Sequence, residues 1–515
     1  MQLTSQWGSH YASFPTVAGI ARGEFVGRAW SKILHPSQRI LEPGAGRIAG
    51  QDRNYHSSRC GLEMSNRARL IRTAKFLLLV GLVAWMFLRG VLPAFTAISD
   101  DFPEYFTSAT IARNGQDVAR LYDGAWFREQ TRHYQVGPGT NPGEFRPYPP
   151  PTALLLMPLT GFKPLTALRI VTVASLSCLI GSMFLLSKIF AWDLLDSALL
   201  VLASGWGLQT GLRFGHPYIL ISTFCLLGYY LCLKRRPWLA GVCLGIFVPI
   251  KYYPLSVLAA FALHRQWRVV MGGAAAIAAV TLVSIGVLGW QVHRVFFADV
   301  LLDHLAGHVE PGPRFIAVFQ SFDTLFDRLL ILDPVRNPHP VLDAPRLRTV
   351  AVLGTKSLLV LAAVAALLKS ARGATARVLA PAVGLAPTVG LAPTAGLAPA
   401  IGILGILALL IAPGSGSYAY VLLWLPVALL IDYFISQRAC VAAYLILCTY
   451  ALIGFIPYGH TYPFEGRGAL TALAFPRLFL MLALFVVCIG AVLLPRSSEE
   501  RAGRGGPVLD AEASR

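Results

Sequence analysis

The chain has 515 residues, of which 55% are apolar and only 14% charged. Soluble domains carry roughly a quarter charged residues, so this composition excludes a string of soluble domains and fits a polytopic membrane protein. Lys and Arg outnumber Asp and Glu, 44 to 26, but they sit in short clusters between apolar runs, which is how cytoplasmic loops are marked and argues against nucleic acid as a partner.

In chain order, residues 1–72 read as a polar cytoplasmic extension, disordered by composition, without a secretory apolar region and with Met64 as an alternative start. Arg67, Arg69, Arg72 and Lys75 hold this end in the cytoplasm. A first span over about 74–98 delivers Asp100 and Asp101 to the outer face. They head a loop over about 99–166 that contains Tyr105, Tyr122, Trp126, Tyr134 and Tyr148. Its last part, Pro151 to Phe162, is apolar but too short to cross ~30 Å of hydrocarbon, and reads as an interfacial helix.

Spans are expected over about 167–190, 196–213 and 218–233, the last entered through the outer turn Phe214-Gly215-His216-Pro217. Lys234-Arg235-Arg236 then marks the cytoplasm, and so does His264-Arg265-Gln266-Trp267-Arg268. The apolar stretch between these clusters must therefore enter the membrane and return. Arms of about 12 residues, or ~18 Å of helix, leave the tip Ile250-Lys251-Tyr252-Tyr253-Pro254 inside the membrane or at a thinned outer region. Charge and non-helical backbone are tolerated at that depth only where they line a hydrated, protein-walled cavity. The alternative is one tilted helix with Lys251 snorkelling.

A span over about 269–290 leads to a second outer loop, about 291–347, carrying His304, His308, Arg314, Gln320, Ser321 and Arg328. The chain returns over about 348–369. Prolines 381, 387, 393 and 399 then recur in Gly-Leu-Ala-Pro-Thr units, which break an ordinary helix. Spans over about 400–412, 418–435, 439–457 and 470–494 follow, and the tail 496–515 reads as disordered and cytoplasmic. The expected whole is an all-α polytopic membrane protein. Residues 73–495 form a bundle of about twelve transmembrane helices with two long extracytoplasmic loops and both termini inside. None of the eight cysteines falls in an outer segment, so no disulfide framework is implied.

Several fragments, in order, carry a resemblance. They are Asp101-Phe102-x-x-Tyr105, Gly115 with Leu121-Tyr122, Tyr148-Pro149-Pro150, Phe214-Gly215-His216, Ile250-Lys251 with Pro254, Arg265-Gln266-Trp267-Arg268, Gln320-Ser321 with Arg328, and Ala412-Pro413. From about residue 72 to 494 the chain resembles the bacterial membrane glycosyltransferases of family 87, within the GT-C superfamily. The resemblance implies a GT-C-like bundle in the bacterial cytoplasmic membrane. It implies a polyprenyl-phosphate-linked hexose, usually mannose, as donor, and transfer to a hydroxyl of a glycolipid or glycan acceptor on the outer face. The chain departs from the family pattern near Ala412-Pro413-Gly414-Ser415-Gly416-Ser417-Tyr418, where relatives often have Ser-Pro and a nearby His or Asp.

The chemistry this calls for assigns Asp101, or else Asp100, as the general base that takes the acceptor hydroxyl's proton. The plainer reading is that the pair only ends the first helix. Lys251 is the candidate ligand of the donor phosphate, since a cation at membrane depth is costly without a function. Arg314 and Arg328 could add paired guanidinium donors to the same phosphate. Tyr105, Tyr148, Tyr252, His216, Gln320 and Ser321 are the candidate substrate contacts. Nothing in the sequence calls for a cofactor or a metal. The competing classes are a polytopic transporter or lipid flippase and an inactive membrane scaffold. Against transport, the broken hairpin at Lys251 has no counterpart in a second half.

Overall fold

The computed structural model describes residues 53–99, 101–136, 143–305, 315–378, 396–414, 416–437, 439–456, 464 and 466–493. Among them every regular element is helical, and the β contact present is an isolated bridge between Asp333 and Asn337. Helix α1, Arg53–Met86, continues through a π turn at Phe87–Val91 into Leu92–Thr96. It thus begins inside the stretch expected as an extension to residue 72. Residues 1–52, the tail 496–515 and the proline repeat up to 395 lie outside the described residues.

Five helices are long and apolar enough to cross a membrane: Ala68–Thr96, Pro164–Phe190 (α5), Trp267–Leu288 (α11), Pro345–Ser370 and Ser417–Ser436. Two bent pairs raise the number to seven if each counts as one span. The sequence leads one to expect about twelve. The difference lies in helix length, because other apolar segments form helices too short to cross ~30 Å at 1.5 Å per residue. Examples are α6 (Leu194–Leu202), α16 (Leu397–Ile411) and α18 (Cys440–Phe455), of 9, 15 and 16 residues.

The first outer loop is more helical than its polarity implies. Pro103 does not simply stop the first helix. It opens α2 (Phe102–Arg113) in the first turn, where the N–H it lacks has no helical partner anyway. Helix α3 (Gly124–His133) starts on an Asp123 side chain that accepts from the Trp126 amide. The expected interfacial helix shrinks to α4 (Thr152–Leu155) and a 3₁₀ turn at Met157–Leu159. These pieces have a core of their own, in which Phe102, Tyr105, Phe106 and Phe145 join Val292 and Phe296. The last two come from the second loop, through α12 (Trp290–Val295) and the π turn Phe296–Val300, which lead to α13 (Leu301–Leu305).

Helices α7 (Trp206–Arg213) and α8 (Tyr218–Leu233) meet at 116° across Phe214–Pro217, the turn expected there. The hairpin follows as α9 (Pro237–Gly245) and α10 (Pro254–Leu263), arms of 9 and 10 residues broken around Lys251. Its seat is α11. A Cβ at Gly241 or Gly245 would collide with the carbonyl oxygens of Val269 and Gly273, so the two backbones pack in direct contact. Beyond lie α14 (Phe322–Leu330) and α15 (Pro345–Val378). The 3₁₀ stretch Ser417–Leu423 runs into α17 (Trp424–Ser436), and Gly468–Ala474 precedes α19 (Pro476–Leu493). Helix α17 is apolar and buried from Trp424 to Ile431, with Trp424, Val427 and Ala428 fully enclosed.

Candidate active site

Asp101 occupies the N-cap position of α2, yet its side chain makes no capping hydrogen bond. Its Oδ2 instead lies 2.8 Å from Nε2 of His216. The other ring nitrogen of His216, Nδ1, is 2.9 Å from the hydroxyl of Tyr105, one turn further along α2. His216 reaches this position through the bend between α7 and α8. There Gly215 takes φ +64°, a left-handed conformation that suits glycine, and the Phe102 ring packs where a Cβ would stand. His216 and Tyr105 are each only 1% exposed. Burial, reinforced by the Asp101 carboxylate, raises the Tyr105 phenol well above its usual range, so it stays protonated.

Lys251 stands on the other side of the same cluster, in the break between the two arms of the hairpin. Its ammonium is 4.3 Å from the centre of the Tyr148 ring and 5.3 Å from that of Tyr218, both cation–π distances. The Tyr148 ring lies 4.8 Å from Tyr105. Tyr218 stacks on Tyr418 at 5.2 Å, and Tyr418 lies 3.8 Å from the His216 ring. Four tyrosines therefore connect the lysine to the Asp101–His216 pair without a gap. Lys251 is half-buried among these rings. Among the described residues no carboxylate lies at ion-pair distance from it. Its charge is held by aromatic faces.

The other sequence candidates separate into groups. Tyr105, Tyr148 and His216 join the cluster, whereas Tyr252 is 45% exposed and makes no ring contact with it. The Gln320 amide donates to the Ala474 carbonyl at 3.0 Å and accepts from the Arg477 amide at 3.1 Å. The Ser321 hydroxyl donates to the Pro413 carbonyl at 2.6 Å and caps α14 by accepting from the Thr324 amide. These two side chains pin the second loop to the stretches before α19 and α17. Arg328 donates to the Arg336 carbonyl at 2.9 Å, within its own loop. Asp100, His308 and Arg314 lie outside the described residues. His304, on α13, is drawn down to about 4 by burial and by the Lys251 and Lys356 ammoniums, and is neutral at ordinary pH.

Three members of the cluster were not among the sequence candidates. Glu104 is one turn beyond Asp101, with its carboxylate filling the space beside Gly143. Tyr218 and Tyr418 carry no charge and stand at the edges of apolar runs, where aromatics are common as membrane anchors. The available signals were Tyr218's place two residues after His216 and Tyr418's place in the segment that departs from the family pattern.

Helices and cluster together define an integral membrane protein with a polar, tyrosine-walled site at the junction of α2, the α7–α8 bend, the hairpin tip and the approach to α17. Residues 146–386 match the family model of glycosyltransferase family 87, the family the sequence resembles, and this indicates a membrane glycosyltransferase. The match includes Tyr148, His216, Tyr218 and Lys251 and begins after Asp101. Searches of curated proteins and of solved structures returned no match.

Proposed function

We propose that the protein is an inverting hexosyltransferase of the outer face of the bacterial cytoplasmic membrane. It moves a sugar, mannose being the family's usual one, from a polyprenyl-phosphate donor to a hydroxyl of a glycolipid or glycan acceptor. The observation that best supports this is the convergence of Asp101 and Lys251 on one tyrosine cluster from distant parts of the chain.

In this reading the acceptor oxygen attacks the anomeric carbon on the face opposite the phosphate. The bond from that carbon to the phosphate oxygen breaks, and its electron pair leaves with the lipid phosphate. The hydroxyl proton passes to Asp101, a step whose base contributes about 10²–10⁴-fold. Phosphate is already a good leaving group, so no strong acid is needed opposite the base. A fixed ammonium at Lys251 offsets the charge that collects on the departing phosphate.

Purified protein given radiolabelled polyprenyl-phosphate mannose and a panel of hydroxyl acceptors should yield a covalent product of inverted anomeric configuration. Movement of the donor across a bilayer with no covalent product would overturn the reading in favour of a transporter.

A further inference from the structure

The turn between α14 and α15 is built unlike a loop that faces water. Its side chains at Leu332, Val335, Val341 and Leu342 are exposed, Val335 at 87%, while its backbone is closed on itself. From Ile331 to Leu342 three residues are prolines, which have no N–H, and every other N–H except that of His339 has an acceptor within the chain. Asp333 and Asn337 exchange backbone hydrogen bonds at 3.2 and 2.9 Å, and the Asp333 carboxylate accepts from the Val335 and Arg336 amides, each at 2.9 Å. The Asn337 side chain is fully buried and donates to the carbonyls of Arg328 and Ile331, at 3.0 and 2.6 Å, which fixes the turn to the end of α14. In water, exposing four large apolar side chains costs free energy, and backbone groups can bond to solvent instead. In lipid the first cost disappears and internal partners become necessary.

The level of the turn in the bilayer follows from α15. A hydrocarbon layer of ~30 Å takes about 20 residues of straight helix. Pro345–Ser370 supplies 26, and Lys369 marks one end by its charge. Counted back from Lys369, the far edge of the hydrocarbon falls near Val350. Pro345 then stands in the headgroup layer, and the turn, which ends three residues earlier, lies at the same level. Leu347, Val350 and Leu353 on α15 are exposed as well, so the apolar surface of the turn continues along the chain into the lipid-facing side of the span. We infer that Leu332–Leu342 is a preformed membrane contact, in which Val335 and its apolar neighbours enter the lipid leaflet beside α15. The partner is the lipid surface itself. Arg336 and Arg346, both exposed, fall at the depth of the lipid phosphates, which guanidinium groups suit. The second loop, which also carries Gln320 and Ser321, is thereby held at a fixed depth. The contact depends on α15 spanning the membrane and not on the chemistry at Asp101.

The test uses the full chain in nanodiscs of phosphatidylethanolamine and phosphatidylglycerol. In a single-cysteine background, spin labels are attached at Val335→Cys and, separately, at Val341→Cys, with Glu129→Cys on α3 as the exposed reference. Power-saturation EPR then compares collisions with oxygen, which concentrates in lipid, and with a water-soluble nickel chelate, which stays out of it. The ratio of oxygen to nickel collisions at Val335 should be several-fold higher than at Glu129, and Val341 should follow Val335. A ratio equal to the reference, with both reagents colliding often, would place the turn in water and overturn the contact. Rare collisions with both reagents would also overturn it, by showing a protein cover, and broadening between labels would identify that cover as a second copy. None of these variants lies in the tyrosine cluster, so either failure leaves the transferase reading intact. Loss of transfer in Asp101→Asn tests that reading separately.

Discussion

Lys251 is half-buried with, among the described residues, no carboxylate at ion-pair distance, and two tyrosine faces replace part of its lost hydration. If its charge binds the donor phosphate, Lys251→Ala should raise the donor KM about tenfold, the scale of one hydrogen bond to a charged group, and Lys251→Arg, which keeps the charge, should recover part of that loss. An unchanged donor KM in Lys251→Ala would count against the phosphate role. Asp101 and Lys251 were both legible in the sequence, since a charge next to or within an apolar run needs a reason to be there. Tyr218 and Tyr418 were not, because nothing in a lone aromatic says which ring it will meet.

At the scale of elements, the second loop is fastened to α15 by a buried set of charges. Arg348 donates to both Asp327 oxygens, at 2.8 and 3.2 Å, with side chains 6% and 2% exposed. One turn back on α14, Asp323 lies 2.6 Å from the Lys356 ammonium, while burial raises its own carboxyl. Two acids against two bases form a locally neutral set, which fits a structural fastening. Removing one partner of a buried pair costs about 3–5 kcal/mol, whereas replacing both by apolar groups is near neutral. Asp327→Ala should therefore lower the thermal midpoint of the detergent-solubilised protein markedly, and Asp327→Leu with Arg348→Met should restore much of it. An unchanged midpoint in the single variant would remove the fastening. The sequence presented this region as a loop with scattered candidates. It could not show that Gln320 and Ser321 would bond to Ala474, Arg477 and Pro413, because those partners come from far along the chain. Helix α2 was hidden for a local reason, since Pro103 serves equally as a stop for one helix and as the first turn of the next.

At the scale of the molecule, the apolar segments inferred from the sequence are present as helices wherever they are described, but their lengths were not legible. Hydropathy shows where a helix is apolar. It does not show where a break at Ser204-Gly205 or Lys251 divides it. Sidedness is a separate matter, for which the flanking basic clusters are the argument. In a single-cysteine background, Glu129→Cys on α3 should react with an impermeant maleimide in intact cells, and Lys234→Cys only after permeabilisation. The opposite pattern would put the site on the wrong side of the membrane for a donor presented outside.

The most direct measurement is a single-turnover experiment on Asp101→Asn, with donor binding followed in parallel. The account predicts an intact, membrane-inserted protein that binds polyprenyl-phosphate sugar as the wild type does and transfers it at least about 100-fold more slowly. Transfer at the wild-type rate by that variant would contradict it.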